Sequence, residues 1–399
     1  MNTLCLILDC LHAGFLGPYG NAWIHTPAFD LLASQAFAFD CALADSPRID
    51  CLCDSYWHLK HALAPMPGLD HAPLPARVRA AGLTPVLMTD ERLVAEHPLA
   101  GQFDERFEIE RRLASRAAGE FDETHLASCF AQLVDWLEQA PEGFFLWCHL
   151  GGLGAAWDAP MEYRRAYSAP GDPEPYSGTE VPQQRLPADY DPDDLFGIVQ
   201  AYAGQVSLLD SCLVGLLNLL DDRPMLLAVA GLRGFPLGEH LRVGPCDLPL
   251  YGELVHLPMF IRSPDGCGAA ARSPALVQPA DLSATLLDML GAPVSGPSPA
   301  HSLLPVIRSD QPGERDYLVL AGEGSECAIR TPAWYLRCGE PPELFVKPDD
   351  RWEANNVASR CGEIVEQLRL HLSRTRQDPL LTQSTHSPPL AEILVSGLE

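Results

Sequence analysis

Short apolar runs bounded by polar or turn residues recur along the first two thirds of the chain. Residues 3–9 form one such run, which ends in Asp9, and residues 83–88 and 144–150 form two more. Apolar runs of this length are typical of strands that are buried on both faces in a parallel sheet. Similar runs predict further strands at 37–44, 225–230 and 256–261.

Between these runs, apolar residues recur at the spacing of helices. Thr26 and Pro27 are suited to the N-cap and first position of one helix. Residues 124–139 and 195–220 each carry an apolar stripe, and residues 281–290 form a helix stopped by Gly291. Strands that alternate with helices indicate an α/β domain.

The last third of the chain has a different pattern. A helix at 362–374 follows three strand-like runs, at 316–321, 327–337 and 342–346, which indicate an antiparallel sheet. We therefore predict an α/β domain over residues 1–305, an antiparallel-sheet subdomain over 306–375 and a loose tail over 376–399. The Pro-, Tyr- and acid-rich residues 157–193 predict a long surface loop that borders a site.

Composition narrows the class of protein. The 399 residues are 47% hydrophobic and 20% charged, as in globular proteins, and no apolar run is long enough to span a bilayer. The net charge of −26 argues against binding to nucleic acid or to anionic membranes. The first residues lack a basic n-region, so we expect a cytoplasmic protein. The 13 dispersed cysteines favour reduced thiols over a disulfide framework.

A set of local motifs follows one order along the chain. The motifs are LDCLH at 8–12, LGPYGN at 16–21, YAGQVSLLDSCLVGLL at 202–217, LGEH at 237–240, LYGELVHLPMFIR at 250–262, DLSATLLD at 281–288, and AIRT, WYL, ELF and EANN between 328 and 356. Together they resemble the sulfatase family of the alkaline phosphatase-like superfamily over about residues 3–375. The resemblance implies a large, mostly parallel sheet flanked by helices, with a small C-terminal antiparallel sheet plus helix.

The resemblance also implies sulfate-ester hydrolysis by a formylglycine, made from Cys or Ser within Cys/Ser-x-Pro-x-Arg. Aligning on Pro47 places Asp45 at the nucleophile and Ile49 at the Arg. Shifting by one residue recovers Arg48 but places Ala44 at the nucleophile. Asp45 cannot become formylglycine, so it is either a carboxylate nucleophile or a polar pocket or helix N-cap residue.

The family holds Ca²⁺ or Mg²⁺ with oxygen ligands, and these positions are also altered. Asp9 is retained, whereas Cys10 stands at the second position, and Leu232-Arg233 precede Gly234 in place of a later Asp-Asn/His pair. Leucine offers no lone pair, a guanidinium is only a donor, and hard cations need six or more oxygens. We expect Asp9 to remain as a ligand position without a bound cation, and no other cofactor.

Arg233 suggests a replacement for that cation. We hypothesise that its guanidinium lies beside Asp9, and beside Asp45 as well, in a pocket that also contains Cys10. The alternative is that Arg233 points into solvent. A distance above about 5 Å between the Arg233 and Asp9 side chains would contradict the hypothesis.

The remaining catalytic positions follow the same trend. Asp90-Glu91-Arg92 replaces the family's Lys-Trp-His, and Gly154 stands where its second active-site His is expected. His149 and His240 remain as family-equivalent positions, although a lone His beside a strand is also a common structural residue. The chain has two lysines, Lys60 and Lys347, outside the lysine positions of the family.

Three functions are compatible with this sequence. We favour a sulfatase-like protein that is catalytically inactive and binds a small anionic ligand or a protein partner. The first alternative is an active hydrolase of sulfate or phosphate esters with a centre rebuilt around Asp9 and Asp45. The second is a scaffold that uses the sulfatase body as an interaction surface.

Overall fold

A computed structural model describes residues 1–63, 72–112, 115–221, 223–294, 298–309, 311, 313, 315–377 and 390–397. The strands are β1 (Thr3–Leu8), β2 (Phe37–Leu43), β3 (Thr84–Thr89), β4 (Glu105–Glu108), β5 (Phe144–Leu150), β6 (Gln184–Arg185), β7 (Leu226–Gly231), β8 (Arg242–Val243), β9 (His256–Leu257), β10 (Met259–Arg262), β11 (Arg272–Val277), β12 (Leu318–Ala321), β13 (Cys327–Arg330), β14 (Trp334–Arg337) and β15 (Glu343–Val346). The helices are α1 (Pro27–Gln35), α2 (Ile49–His58), α3 (Leu74–Ala80), α4 (Arg92–Ala95), α5 (His125–Gln139), α6 (Met161–Arg165), α7 (Pro192–Asp221), α8 (Gly252–Val255), α9 (Pro279–Met289), α10 (Leu304–Ser309), α11 (Gly362–Gln377) and α12 (Glu392–Ser396).

The chain divides into two units that are not continuous in sequence. Unit 1 consists of Met1–Ala38, Leu83–Asp247 and Leu257–Arg272. Unit 2 consists of Phe39–Gly82, Leu248–His256 and Ser273–Glu399. The domain boundary at residues 305 and 306 stays a prediction, and it falls within unit 2.

Unit 1 contains the predicted parallel sheet. β1 pairs in parallel with both β5 and β7, β5 pairs in parallel with β3, and β3 pairs in parallel with β4. β10 runs antiparallel to β7, which makes the sheet mixed. All six residues of β1 are buried, as is typical of a central strand in a parallel sheet. The α/β fold class is therefore confirmed.

Helix α7 is the longest helix of unit 1 and lies against its core. It is long and apolar enough to cross a membrane, but 67% of its most apolar window is buried inside the protein. Tyr202, Val206 and Leu209 of the predicted stripe are all fully buried. This burial is what a central core helix requires.

Helix α7 also provides the carboxylate that accepts hydrogen bonds from the first backbone amides of α1. Thr26 occupies the predicted N-cap position, but its hydroxyl accepts a hydrogen bond from Gly17 N (2.9 Å) instead of capping the helix. Asp210 Oδ1 accepts from the backbone amides of Ala28 and Phe29, both at 3.0 Å. Burial raises the pKa of Asp210 to about 6, although these two amides act in the opposite direction. A side chain distant in sequence therefore caps α1.

The predicted surface loop at 157–193 is more ordered than expected. It contains α6 and β6, and Trp157 and Arg164 within it are fully buried. The Arg164 guanidinium donates to the backbone oxygens of Ala159 (3.1 Å) and Gly178 (3.0 Å). Buried carbonyls need such donors, so one arginine joins separate parts of this segment to each other.

Two predicted strands are each divided in the structure. The run at 256–261 becomes β9 and β10, because Pro258 cannot donate to the sheet. The run at 327–337 becomes β13 and β14, which are joined by a turn at 331–333. The pattern also failed to predict α2, α3, α10, β4 and β11.

Unit 2 contains the predicted small antiparallel sheet. Its strands follow the order β12-β13-β14-β15, and every neighbouring pair is antiparallel. Apolar residues of α11, including Leu368 and Leu372, share a core with Trp334 and Leu336 of β14. Residues 378–389 and 398–399 of the predicted tail lie outside the described residues. Within that tail, Ile393 O of α12 accepts a hydrogen bond from Trp334 Nε1 (2.8 Å).

Candidate functional site at the carboxyl ends of the parallel strands

Polar residues of unit 1 lie at the carboxyl ends of four neighbouring parallel strands. Asp9 follows β1, Arg233 comes two residues after β7, Asp90 follows β3, and His149 is the penultimate residue of β5. Parallel strands end at the same edge of a sheet, and ligands of open α/β folds bind at this edge. The strand order alone therefore brings these side chains together.

Asp9 and Arg233 form a buried, bidentate ion pair. Arg233 Nε donates to Asp9 Oδ1 (2.9 Å), and Arg233 Nη2 donates to Asp9 Oδ2 (2.6 Å). The side chain of Asp9 is 3% exposed and that of Arg233 is 12% exposed. Burial lowers the pKa of Arg233, but the charge and hydrogen bonds of Asp9 outweigh it and raise that pKa overall. The distance confirms the expected pairing of Arg233 with Asp9.

Cys10 and two glycines surround this ion pair. Cys10 is buried with a φ of 60°, and burial, followed by the charge of Asp9, raises the pKa of its thiol. A Cβ on Gly152 would lie 2.7 Å from Asp9 O, and one on Gly154 would lie 2.8 Å from Cys10 Sγ. Gly154, which stands where the family has a histidine, therefore leaves no room for a larger side chain.

His149 is buried beneath the same edge. Its side chain is 1% exposed as part of a fully buried strand, and Nε2 has no hydrogen-bond partner among the described residues. Burial lowers the pKa of His149, although the negative charges of Asp9 and Asp90 raise it in part. A neutral imidazole with an unpaired nitrogen is retained at this family position.

Asp90 is the centre of a second polar cluster, which we did not predict. Its Oδ2 lies 2.7 Å from His125 Nε2, and its Oδ1 accepts from Gly151 N at 2.5 Å. Burial opposes ionisation, but the hydrogen bonds from His125 and Gly151 lower the pKa of Asp90 overall. Cys129 Sγ lies 3.5 Å from His125 Nε2 on the next turn of α5. The i,i+4 spacing of His125 and Cys129 was the available sequence signal.

Arg111 supplies a cation beside this cluster. Its Nε donates to Asp90 O (2.9 Å), and its Nη2 forms an ion pair with Glu91. In the sulfatase resemblance, Asp90 and Glu91 stand where the family has Lys and Trp. The cluster therefore carries two carboxylates, and Arg111 donates to one of them, that of Glu91, and to the backbone oxygen of Asp90.

His240 lies in a strained turn of unit 1 after β7. It has a φ of 50° and is half-buried, and its carbonyl accepts from Arg242 Nη1 (2.8 Å). The neighbouring Glu239 Oε1 lies 3.7 Å from His12 Nε2. Burial raises the pKa of Glu239, but the interaction with the nearby His12 lowers it overall.

Asp45 belongs to unit 2, where it is buried at the start of a turn that leads to α2. Its Oδ2 accepts from Ser55 Oγ (2.6 Å) and from Ala62 N (2.8 Å). Within the described part of the chain, its Oδ1 has no hydrogen-bond partner. Burial raises the pKa of Asp45, although His61 and these hydrogen bonds counter it. Asp45 does not cap α2, because the N-cap residue is Arg48.

Both lysines also belong to unit 2, and each forms an ion pair. Lys60 Nζ lies 2.8 Å from Asp54 Oδ2, and Lys347 Nζ lies 3.0 Å from Glu353 Oε1. Their side chains are each 9% exposed. The positive charge of both lysines is thus used within unit 2.

The donor set around Asp9 does not fit a hard divalent cation. Both oxygens of Asp9 accept from Arg233, the raised pKa of Cys10 keeps its thiol protonated, and Leu232 offers no donor. Calcium and magnesium require several oxygen ligands and are repelled by a fixed positive charge. The guanidinium instead supplies the positive charge that a buried carboxylate needs.

The fold and this edge of charged residues define an α/β protein of the alkaline phosphatase-like class. The profile of the sulfatase family matches residues 1–292. The chain belongs to the sulfatase family.

Curated sulfatases match only about a third of this chain. Arylsulfatase K of Danio rerio is 28% identical over 145 residues, which are 33% of this chain and 28% of that protein. Arylsulfatase K of Rattus norvegicus is 25% identical over 156 residues, which are 35% of this chain and 28% of that protein. The chain therefore matches little more than a quarter of the length of these curated relatives.

Solved structures match nearly the whole chain. The phosphonate monoester hydrolase of Agrobacterium radiobacter has a TM-score of 0.74 at 16% identity, with 98% of each chain covered. A protein solved with its substrate D-glucosamine-2-N,6-O-disulfate has a TM-score of 0.75 at 16% identity, with 94% of this chain and 98% of the other covered. At this identity the likeness shows the fold alone.

Proposed function

We propose that this chain is a catalytically inactive sulfatase-family protein that acts by binding a small anionic ligand or a protein partner. The observation that carries the proposal is the bidentate pair between Arg233 and Asp9. The guanidinium of Arg233 donates to both carboxylate oxygens of Asp9, which is the one metal-ligand residue of the family that this chain retains. A hydrolase of this family without its cation lacks the charge that stabilises the departing sulfate.

The other family positions support the same proposal. Asp45 cannot be converted to formylglycine, and burial raises the pKa of its carboxyl, which favours the neutral acid. Asp90 places a negative charge where the family has a lysine that attracts the substrate. His149 is neutral and buried beneath the edge. Losing one transition-state donor typically costs about 10²–10³ in rate, so the combined changes predict no measurable turnover.

The first test combines metal analysis with activity assays. Purified protein is analysed for Ca²⁺, Mg²⁺ and Zn²⁺, then incubated with aryl sulfates and aryl phosphates with and without added Ca²⁺ or Mg²⁺. We expect substoichiometric metal and no turnover above the Asp45→Ala variant. Turnover that disappears in both Asp45→Ala and Asp9→Asn, with their circular dichroism unchanged, would establish the rebuilt hydrolase and overturn the proposal.

The second test restores the family's ligands. The double variant Leu232→Asp/Arg233→Asn places an Asp-Asn pair before Gly234 and removes the guanidinium from Asp9. We expect Ca²⁺ to raise the melting temperature of this variant and to leave that of the native chain unchanged. Equal stabilisation of both proteins by Ca²⁺ would show that Arg233 does not replace a cation.

A further inference from the structure

Two cysteines face each other across neighbouring strands of the small sheet in unit 2. Cys327 is the first residue of β13, and Cys338 directly follows the last residue of β14. Cys338 N donates to Cys327 O at 2.8 Å, which extends the register in which Ala328 pairs with Arg337. Side chains of opposed residues in an antiparallel pair project from the same face.

This placement meets the Cα criterion for a disulfide, and closing the bond requires the Cβ atoms, about 5.5 Å apart in a hydrogen-bonded pair, to approach to about 3.5–4.5 Å. Opposed residues of a hydrogen-bonded pair have Cα atoms about 5.5 Å apart, within the range of about 4.4–6.8 Å found for disulfides. In the structure both cysteines are free, as are the other eleven. Cys327 is 4% exposed, whereas Cys338 is half-buried, so the more accessible side of the pair is that of Cys338.

Helix α11 places arginines over this pair. Arg376 Nη1 lies 3.9 Å from Cys327 Sγ, and Arg369 interacts with Cys338. A hydrogen bond from Cys338 lowers the pKa of Cys327 to about 7, and the charge of Arg376 helps to outweigh the opposing effect of burial. The same hydrogen bond, together with burial, raises the pKa of Cys338. These influences favour the thiolate at Cys327 and the thiol at Cys338.

The pKa of Cys327 is lowered, whereas the pKa values of the core cysteines are raised. Burial raises the thiol pKa at Cys5, Cys10, Cys129, Cys148 and Cys212. A thiolate attacks peroxides and a thiol does not, so reactivity is expected at Cys327 and not in the core.

We propose that Cys327 and Cys338 are a redox-sensitive site that reduces a hydroperoxide and closes into a reversible disulfide. The Cys327 thiolate attacks the terminal oxygen of the hydroperoxide, the O–O bond breaks, and the leaving alkoxide takes up a proton as the alcohol. The sulfur of Cys338 then attacks the resulting sulfenic acid. The S–O bond breaks, and the hydroxide leaves with the Cys338 proton as water.

The net reaction converts two thiols and one hydroperoxide into a disulfide, an alcohol and water. A dithiol reductant reverses the protein change by thiol–disulfide exchange. The disulfide removes the thiolate that lies beside Arg376 in the last turn of α11. Oxidation therefore alters the contact between this helix and β13 as well as the covalent structure.

The test uses the full-length reduced protein and hydrogen peroxide at pH 7. We expect intact mass spectrometry to show the loss of two hydrogen atoms, peptide mapping to place the disulfide at Cys327–Cys338, and dithiothreitol to restore the original mass. The matched control is Cys361→Ser, which removes another partly exposed cysteine of unit 2. The Cys361→Ser variant should form the same Cys327–Cys338 disulfide as the native chain and lose it in dithiothreitol.

Two variants test the order of the steps. Cys338→Ser removes the resolving thiol, so dimedone should trap Cys327 as its sulfenic acid. Arg376→Met should slow the alkylation of Cys327 at pH 7, by less than the about tenfold that a full return to the pKa of a free cysteine would give, because the hydrogen bond from Cys338 remains. Arg374→Met, on the same turn, should leave the rate unchanged.

Several results would overturn the proposal. Oxidation that joins other cysteines, or no mass change at a peroxide excess that oxidises free cysteine, would exclude the site. A pH profile of Cys327 alkylation with an ordinary thiol pKa, unaffected by Arg376→Met, would exclude the role of the arginine. These measurements do not depend on hydrolase activity or on the state of Asp9.

Discussion

Arg233→Met removes one partner of the buried ion pair and leaves Asp9 without its counter-charge. Asp9 is 2% exposed, and its two oxygens accept hydrogen bonds from the guanidinium at 2.9 and 2.6 Å. Removing one member of such a pair typically costs about 3–5 kcal/mol, because the other charge stays buried. We expect a loss of this size in the free energy of unfolding.

A double-mutant cycle separates this coupling from lost packing. Asp9→Asn/Arg233→Met has no buried charge at this site, so we expect it to be more stable than Arg233→Met alone. The coupling energy between the two positions should exceed about 1.5 kcal/mol, above the value for non-interacting sites. The assay is urea unfolding followed by both circular dichroism and tryptophan fluorescence, because the protein has two units.

Arg92→Met is the matched control. Arg92 pairs with Glu96 at 2.7 Å, but its side chain is 84% exposed. Exposed ion pairs contribute little, so no measurable change is expected. Strictly additive losses for Asp9→Asn and Arg233→Met would refute the reasoning, because they would mean that the two side chains do not depend on each other.

Two further predictions concern packing and pH. Gly154→Ala should lower the free energy of unfolding in urea by about 1–3 kcal/mol, because its Cβ would lie 2.8 Å from Cys10 Sγ. Gly215→Ala in α7 has open space around the added Cβ and should raise the free energy of unfolding by about 0.5–1 kcal/mol. Asp210 has a folded pKa of about 6, above its unfolded value, so its contribution to stability falls as pH rises from about 4 to 6. Asp210→Asn should remove that slope from the pH profile of unfolding, and an unchanged slope would contradict the assignment to Asp210.

The sequence was sufficient to predict the parallel strands β1, β3, β5 and β7 and the pair formed by Asp9 and Arg233. Both residues follow apolar runs, and the carboxyl ends of parallel strands meet at one edge, so local patterns carry that information. The family resemblance then identified Arg233 as the residue at a ligand position. Neither step required knowledge of how helices pack.

Other contacts could not be predicted because they depend on tertiary packing. The backbone amides of Ala28 and Phe29 at the start of α1 donate hydrogen bonds to Asp210, which lies about 180 residues away in the sequence. Asp90 meets His125 only because α5 packs against the sheet beside β3. The opposed cysteines of the small sheet depend on a turn at 331–333 that divides an otherwise continuous apolar run.

The guanidinium of Arg233 is a counter-ion that is covalently attached to the chain. A diffusible cation stabilises a protein by RT ln(1 + [L]/Kd), so that its contribution varies with the ionic composition of the surroundings. An attached cation folds with the chain and cannot be diluted away or removed by a chelator. The carboxylate at the end of β1 therefore keeps this compensating charge whatever the supply of divalent ions.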